Sequence, residues 1–174
     1  MTMRSLCPAS AAAIALMACA TGAATLIGAW IFQYGFDIIP CPLCLEQRYA
    51  YYLAIPVAAL TAFAAWQSLP RSVVTAGFVI VALAMLANAG LGTYHAGVEW
   101  GWWKGPTECS GPLNDLGSAG SLLSRLATVK VVRCDEVQWR FLGLSLAGYN
   151  VLISLAMAAL AMCGLRAASQ RRPA

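Results

Sequence analysis

Charged residues are scarce in this chain. Lys, Arg, Asp and Glu make up only 10 % of its 174 residues, whereas hydrophobic residues make up 60 %. A soluble domain is normally about 25 % charged. So little polar surface cannot cover a water-soluble globule, and the composition therefore indicates an integral membrane protein. The formal net charge of +4 is small and does not indicate nucleic-acid binding.

Four long stretches have no Asp, Glu, Lys or Arg in their interior. A helix needs roughly 20 residues to cross about 30 Å of hydrocarbon, and each stretch has nearly that length or more. All six Trp residues lie at or just beyond the ends of these stretches, as expected of indole rings at headgroup level. Because charges inside a membrane mark ion pathways, their absence argues against ion transport. We predict an all-α integral membrane protein, a single bundle of four transmembrane helices over about residues 11–32, 49–66, 73–95 and 141–165.

The first stretch also fits a second interpretation. Arg4 precedes an apolar run, and residues 16–19 (Leu-Met-Ala-Cys) resemble a lipoprotein cleavage site. However, the apolar run continues to Trp30, whereas the apolar core of a signal peptide has only about 7–15 residues. We therefore favour a retained membrane anchor.

Four spans place both termini and the short turn near Arg71 on one side of the membrane. Two loops, about residues 33–48 and 96–140, lie on the other side. The first side carries five Arg residues and no acid. Because short cytoplasmic segments are enriched in Lys and Arg, we predict cytoplasmic termini. In the long loop, apolar residues at helical spacing predict an amphipathic helix that lies on the membrane surface within residues 116–132.

Cysteine, by contrast, is abundant, with seven residues. Four of them fall in the two outer loops: Cys41, Cys44, Cys109 and Cys134. Thiols in an oxidising compartment form disulfides. Sorting them by loop pairs Cys41 with Cys44 and Cys109 with Cys134, although four cysteines allow three pairings.

The other three cysteines lie near the inner end of the bundle or inside the hydrocarbon: Cys7, Cys19 and Cys163. Thiols in that setting stay reduced or behave as small apolar residues. We therefore expect structural roles for them.

The outer cysteines have several possible uses. A structural zinc site prefers two close pairs, but Cys109 and Cys134 are 25 positions apart. A c-type haem needs a histidine directly after the cysteine pair, and Leu45 occupies that position. Structural disulfides in a non-catalytic membrane scaffold or transporter subunit stay open as the alternative. Because a disulfide between Cys41 and Cys44 would close too short a loop to constrain the unfolded chain much, a redox function is favoured.

The surroundings of Cys44 suggest an activated thiol. Pro42 is favoured at the first position of a helix, so Cys44 should lie in the first turn, where free backbone N–H groups and the helix dipole stabilise a thiolate. Arg48 lies one turn further on the same face and is either a second source of positive charge or an interfacial anchor. We predict a lowered pKa for Cys44. His95, the only histidine, ends the third span and could bind a polar ligand between helices.

The order of these elements resembles the disulfide-bond formation protein B (DsbB) family of bacterial inner-membrane enzymes. The resemblance covers nearly the whole chain. It rests on the four spans, on Cys-Pro-Leu-Cys-Leu-Glu-Gln-Arg at residues 41–48, and on a long loop with Cys109 and Cys134. Arg-Cys-Asp at residues 133–135 and Phe-Leu-Gly-Leu-Ser at residues 141–145 add to it.

The resemblance implies a relay of electrons through the four outer cysteines. A periplasmic thioredoxin-fold oxidase (DsbA-like) would attack the Cys109–Cys134 disulfide at Cys109, and Cys134 would then engage Cys41. Cys44 would face a bound quinone, ubiquinone or menaquinone, which would take the electrons from an apolar slot between the helices. The residues that the resemblance places near the quinone ring are Arg48 and His95.

Overall fold

A computed structural model describes residues 10–106 and 133–170 of the chain. Within these residues, four helices are long and apolar enough to cross a membrane. They are α1 (Ala11–Trp30), α2 (Pro42–Trp66), α3 (Arg71–Glu99) and α4 (Leu146–Ser169). A π-helical segment, Ile31–Gly35, continues α1. The predicted four-helix membrane bundle is confirmed, whereas the helix predicted within residues 116–132 lies outside the described residues.

The four helices close into a ring. Helix α1 packs against α2 and α4, and α3 packs against the same two helices. Most buried positions carry small residues, and only a few large side chains, such as Phe78 and Met157, are fully buried. Small residues allow helix backbones to approach closely, which is how helices associate in lipid. Large apolar side chains such as Leu60 and Leu83 instead lie on the outer surface, where lipid would cover them.

The last helix begins later than the sequence predicted. The fourth span was expected from Phe141, but α4 begins at Leu146. Ser145 caps the helix with its side chain, which explains why the helix does not extend further back. The preceding residues form a short antiparallel hairpin of β1 (Arg140–Phe141) and β2 (Leu144–Ser145). The hairpin therefore lies at the end of the bundle where α2 begins.

The close contact between α3 and α4 depends on a glycine. A Cβ atom at Gly164 would lie 2.2 Å from the ring of Phe78, whose side chain is only 1 % exposed. We expect Gly164→Ala to destabilise the protein by about 1–3 kcal/mol, because extra atoms in a packed core force neighbours to shift. The apparent Tm of the detergent-solubilised protein should fall by several degrees.

The matched control for this substitution is Gly90→Ala in α3. A Cβ atom at Gly90 meets nothing within 4 Å, so its Tm should stay at the wild-type value or rise slightly, because alanine favours helix. Equal Tm values for Gly164→Ala and the wild type would contradict the tight packing of Gly164 on Phe78.

Candidate redox site

The two cysteines of the Cys-x-x-Cys pair meet at the start of α2. Cys41 is the N-cap residue, with extended backbone, and its Sγ accepts a hydrogen bond from the backbone N–H of Cys44 at 3.3 Å. Pro42 follows as the first helical residue, as the sequence predicted. The two sulfur atoms lie 2.8 Å apart as free thiols. This structure therefore holds the pair in its dithiol form. The Cys41–Cys44 disulfide, which was expected because both cysteines lie in the same outer loop, is not formed.

The sequence placed the lowered thiol pKa at the wrong cysteine. The hydrogen bond with the Cys44 side chain lowers the pKa of Cys41 to about 5, and the hydrogen bond with His95 adds to this effect, while burial opposes it. The N-cap position explains the difference. The sulfur of Cys41 receives an N–H group from the first turn of the helix, whereas Cys44 supplies that N–H group. The positive end of the helix dipole therefore acts on Cys41.

This pKa predicts the titration of the reduced protein. We expect the first proton to leave the thiol pair with a midpoint near pH 5. Because the pKa of Cys41 lies below the ordinary value for a thiol, the thiolate dominates above that pH and disappears as the pH falls through it. The ultraviolet absorbance of thiolate measures this transition. Cys41→Ser should abolish the low-pH step and Cys19→Ser should preserve it, while a wild-type midpoint near the ordinary thiol value would contradict the assignment.

His95 is buried beside the thiol pair. Its Nε2 atom lies 3.5 Å from Cys41 Sγ, and its Nδ1 atom lies 2.8 Å from Gln47 Nε2. Glu99 Oε1 lies 3.9 Å from His95 Nε2, and the other carboxylate oxygen of Glu99 accepts a hydrogen bond from the Ser145 hydroxyl. Sequence reasoning missed Glu99, although its position one helical turn after the only histidine was an available signal.

Three potential metal ligands meet at this point. The ligand atoms of Cys41, Cys44 and His95 all lie within 4.8 Å of one another. Thiolates and imidazole are the ligands that zinc prefers. The sequence pattern of the four outer cysteines argued against zinc, but it did not indicate this arrangement, because His95 is 54 positions from Cys41 along the chain. The expectation that the protein holds no metal stays a prediction.

A cavity of about 440 Å³ opens beside the thiol pair. Its volume lies in the range of about 300–1,000 Å³ that is typical of small-molecule sites. Apolar side chains from α1, the segment between α1 and α2, β1 with the residue before it, and α4 form most of its wall. The polar and titratable residues in the wall include Cys41, Cys44, Gln47, Arg48, Tyr51, His95, Glu99 and Asn150. The cavity can therefore accept an apolar ligand with a few polar atoms directed at the thiols.

Arg48 is half-buried in the cavity wall. Its Nη1 atom donates a hydrogen bond to Gln33 Oε1 at 2.6 Å, and Gln33 belongs to the π-helical segment after α1. The sequence expected the guanidinium to act on the sulfur of Cys44. Both residues line the same cavity, but the hydrogen bond holds the guanidinium towards α1. Arg48 therefore supplies positive charge to the wall on the side of α1.

Cys134 lies next to the thiol pair in space. It is disulfide-bonded and only 1 % exposed, and it packs in one buried cluster with Cys41 and Val98. Cys109 lies outside the described residues, so its predicted pairing with Cys134 stays a prediction. Cys163 is also disulfide-bonded, and the expectation that it stays reduced was wrong. Depth in the membrane was the only basis for that expectation, and depth does not show which segments come within bonding distance.

Comparison with known proteins agrees with this arrangement. The model of the family "Disulfide bond formation protein DsbB" matches residues 11–164. The chain is 33 % identical over 174 residues to disulfide bond formation protein B of Verminephrobacter eiseniae, a match that covers 95 % of this chain and 89 % of that protein. Proteins of the same name from Hahella chejuensis (30 % identical, 77 % of this chain and 81 % of that protein) and Polaromonas sp. (29 %, 83 % and 84 %) are also similar. No solved structure matches the chain significantly.

Proposed function

Because the chain belongs to the family of disulfide bond formation protein DsbB, we propose that it is a quinone-linked thiol oxidase. It is a multi-pass bacterial membrane protein, and its family acts in disulfide bond formation. In our proposal it reoxidises a periplasmic thioredoxin-fold oxidase (DsbA-like) and passes the electrons to ubiquinone or menaquinone in the membrane.

The observation that carries this proposal is the position of the thiol pair in the cavity wall. Both Cys41 and Cys44 line the cavity of about 440 Å³, whose wall is mostly apolar. A quinone has an apolar ring and tail with two polar carbonyl oxygens, and the residue types in the wall fit it. Arg48 would donate a hydrogen bond to a carbonyl oxygen, and His95 would lie beside the quinone in the same wall. When bound, a quinone supplies the capacity to accept two electrons and two protons.

The cysteines would act in a fixed order. The thiolate of the reduced partner attacks Cys109, which breaks the Cys109–Cys134 bond, forms a mixed disulfide with the partner and releases Cys134 as a thiolate. Cys134 then attacks the oxidised Cys41–Cys44 pair at Cys41. The second thiol of the partner resolves the mixed disulfide and releases Cys109 as a thiolate. Cys109 then attacks Cys134, which re-forms the Cys109–Cys134 disulfide and releases Cys41 as a thiolate. The net exchange converts the partner's dithiol into a disulfide and leaves Cys41 and Cys44 as the dithiol.

Two observations support this order. Cys134 packs in the same buried cluster as Cys41, which places both residues at the same end of the bundle. The lowered pKa of Cys41 also makes it a good leaving group when Cys109 attacks Cys134, because a thiol of lower pKa leaves faster.

The orientation of the protein follows from the same proposal. The Cys-x-x-Cys pair and Cys134 lie at the end of the bundle opposite the Arg71 turn, because α2 begins at Pro42 and ends at Trp66. We propose that this end faces the periplasm, that the termini are cytoplasmic, and that the membrane is the inner membrane. The Arg-rich termini and Arg71 turn support this orientation.

A purified system tests the proposed function. The protein in detergent is mixed with a reduced thioredoxin-fold oxidase and a soluble quinone analogue, and the quinone absorbance is followed. We expect quinone loss that stops when the partner is omitted or is supplied in its oxidised form. An absence of partner-dependent quinone reduction would leave the protein as a disulfide-stapled scaffold.

A further inference from the structure

A chain of side-chain hydrogen bonds runs from the thiol pair into the bundle. His95 Nδ1 lies 2.8 Å from Gln47 Nε2, and Gln47 Oε1 accepts a hydrogen bond from Asn150 Nδ2 at 2.6 Å. Asn150 Oδ1 in turn accepts a hydrogen bond from the Tyr51 hydroxyl at 2.6 Å. The chain joins α2, α3 and α4 at membrane depth, where an unpaired polar group would be costly.

The backbone of α2 sets the direction of these hydrogen bonds. Gln47 Nε2 lies 3.0 Å from the backbone carbonyl oxygen of Leu43. A carbonyl oxygen only accepts hydrogen bonds, so the Gln47 atom beside it must be the amide nitrogen. The same nitrogen faces His95 Nδ1, and Nδ1 must therefore accept. A neutral imidazole that accepts at one nitrogen carries its proton on the other, which here is Nε2.

The far end of the chain agrees with this direction. With its nitrogen towards His95, Gln47 presents its oxygen to Asn150, and Asn150 must present its nitrogen in return. The oxygen of Asn150 then accepts from both Tyr51 and Asn88, the latter at 3.3 Å. Reversing any one amide would bring two donors or two acceptors face to face and leave buried polar groups unpaired, which is unfavourable.

We propose that Gln47 is a positioning residue, which keeps His95 neutral and protonated only at Nε2, so that the ring donates a hydrogen bond to the sulfur of Cys41. This inference rests on the proposed function of the thiol pair. The Nε2–H group lies between two acceptors, Cys41 Sγ at 3.5 Å and Glu99 Oε1 at 3.9 Å. The N–H group of Gln47 donates a hydrogen bond to the lone pair of Nδ1. A proton on Nδ1 would break this hydrogen bond.

Two consequences follow for the chemistry of the site. His95 stabilises the Cys41 thiolate as a fixed hydrogen-bond donor and does not carry protons during turnover. In this tautomer Nε2 carries the proton, and Nδ1 accepts the hydrogen bond from Gln47. Neither nitrogen has a free lone pair, so His95 cannot serve as the third metal ligand beside Cys41 and Cys44. Gln47 thereby favours redox chemistry over metal capture at the pair.

The single histidine makes a direct test possible. Selective labelling with ¹⁵N-histidine gives two ring-nitrogen signals that both belong to His95, with no need for assignment. In the reduced protein at neutral pH, we expect one signal of the protonated type from Nε2 and one of the unprotonated type from Nδ1. Coupling to the ring carbons identifies each nitrogen. A protonated Nδ1 in the wild-type spectrum would overturn the inference, whatever the variants do.

Two variants separate the role of Gln47 from general effects on packing. Gln47→Glu keeps the shape of the side chain but replaces the N–H donor with an acceptor, so the Nδ1 signal should move to the protonated type. Ser154→Ala removes a hydroxyl at the far end of the chain, where Asn88 donates to it at 2.9 Å, and should leave both signals unchanged. Unchanged signals in Gln47→Glu, or equal shifts in both variants, would contradict a positioning role.

The spectrum is recorded without quinone or partner protein, so its outcome does not depend on the proposed function. An Nε2-protonated His95 in a protein that fails to reduce quinone would refute the thiol oxidase and support the tautomer. An Nδ1-protonated His95 in an active oxidase would refute only the role of Gln47.

Discussion

Cys41→Ser and Cys44→Ser should each abolish partner-dependent quinone reduction, with a loss of roughly 10³-fold or more, the scale seen when a reacting nucleophile is removed. A serine hydroxyl cannot form or exchange a disulfide. The remaining thiol of the pair then cannot re-form the Cys41–Cys44 disulfide, which is the step that releases electrons to the quinone in the proposed reaction. Initial rates of quinone loss, with the thioredoxin-fold partner in excess, measure the effect.

Cys19→Ser is the matched control for these substitutions. Cys19 also carries a free thiol in a transmembrane helix, but it does not line the cavity. We expect it to retain the wild-type rate. Quinone reduction that survives either substitution in the pair, or a comparable loss in Cys19→Ser, would contradict the assignment of Cys41 and Cys44 as the redox centre.

The bundle could be predicted from the sequence because one physical requirement dominates it. A charged side chain inside hydrocarbon is costly, so four charge-free stretches of sufficient length mark the helices. The helix ends depend instead on local hydrogen bonds. Ser145 caps α4 four residues after the charge-free stretch begins at Phe141, and a hydropathy pattern carries no information about a cap. Pro42 is the exception, because its ring favours the first helical position regardless of context.

The redox pair was visible in the sequence, but its electrostatics were not. The Cys-x-x-Cys spacing and Pro42 place both thiols in the first turn of α2. Which sulfur accepts the free N–H group depends on the cap geometry, and the structure gives that position to Cys41. The contribution of His95 depends on the packing of α3 against α2. Tertiary contacts of this kind leave no local trace in the sequence.

The hydrogen-bond partners around the site are harder still to predict. Gln47 and Asn150 are 103 positions apart, and no pattern in the sequence shows that their side chains face each other. Glu99 and Ser145 meet only because the start of α4 lies against the end of α3. Sequence reasoning therefore predicts which residue types can do the chemistry, and the fold decides which of them face one another.

Filling the cavity provides the second large effect. Gly28 in α1 lines the cavity, and a Cβ atom at this position meets nothing within 4 Å. Gly28→Phe therefore adds an aromatic ring to the cavity wall at a position where its Cβ atom meets no neighbour. We expect the KM for the soluble quinone analogue to rise by about tenfold or more, where each tenfold corresponds to about 1.4 kcal/mol of lost binding. Initial rates at a series of quinone concentrations measure it.

The value of this substitution is that it separates the two halves of the proposed reaction. In the proposed reaction, thiol exchange with the partner uses Cys134 and Cys41, which belong to one buried cluster that does not include Gly28. A stoichiometric reaction of the oxidised protein with reduced partner should therefore proceed at the wild-type rate in Gly28→Phe. Gly90→Phe is the control, because Gly90 has similar open space but lies outside the cavity. An unchanged KM in Gly28→Phe would place the quinone elsewhere, whereas loss of both half-reactions would indicate a folding defect instead of a blocked cavity.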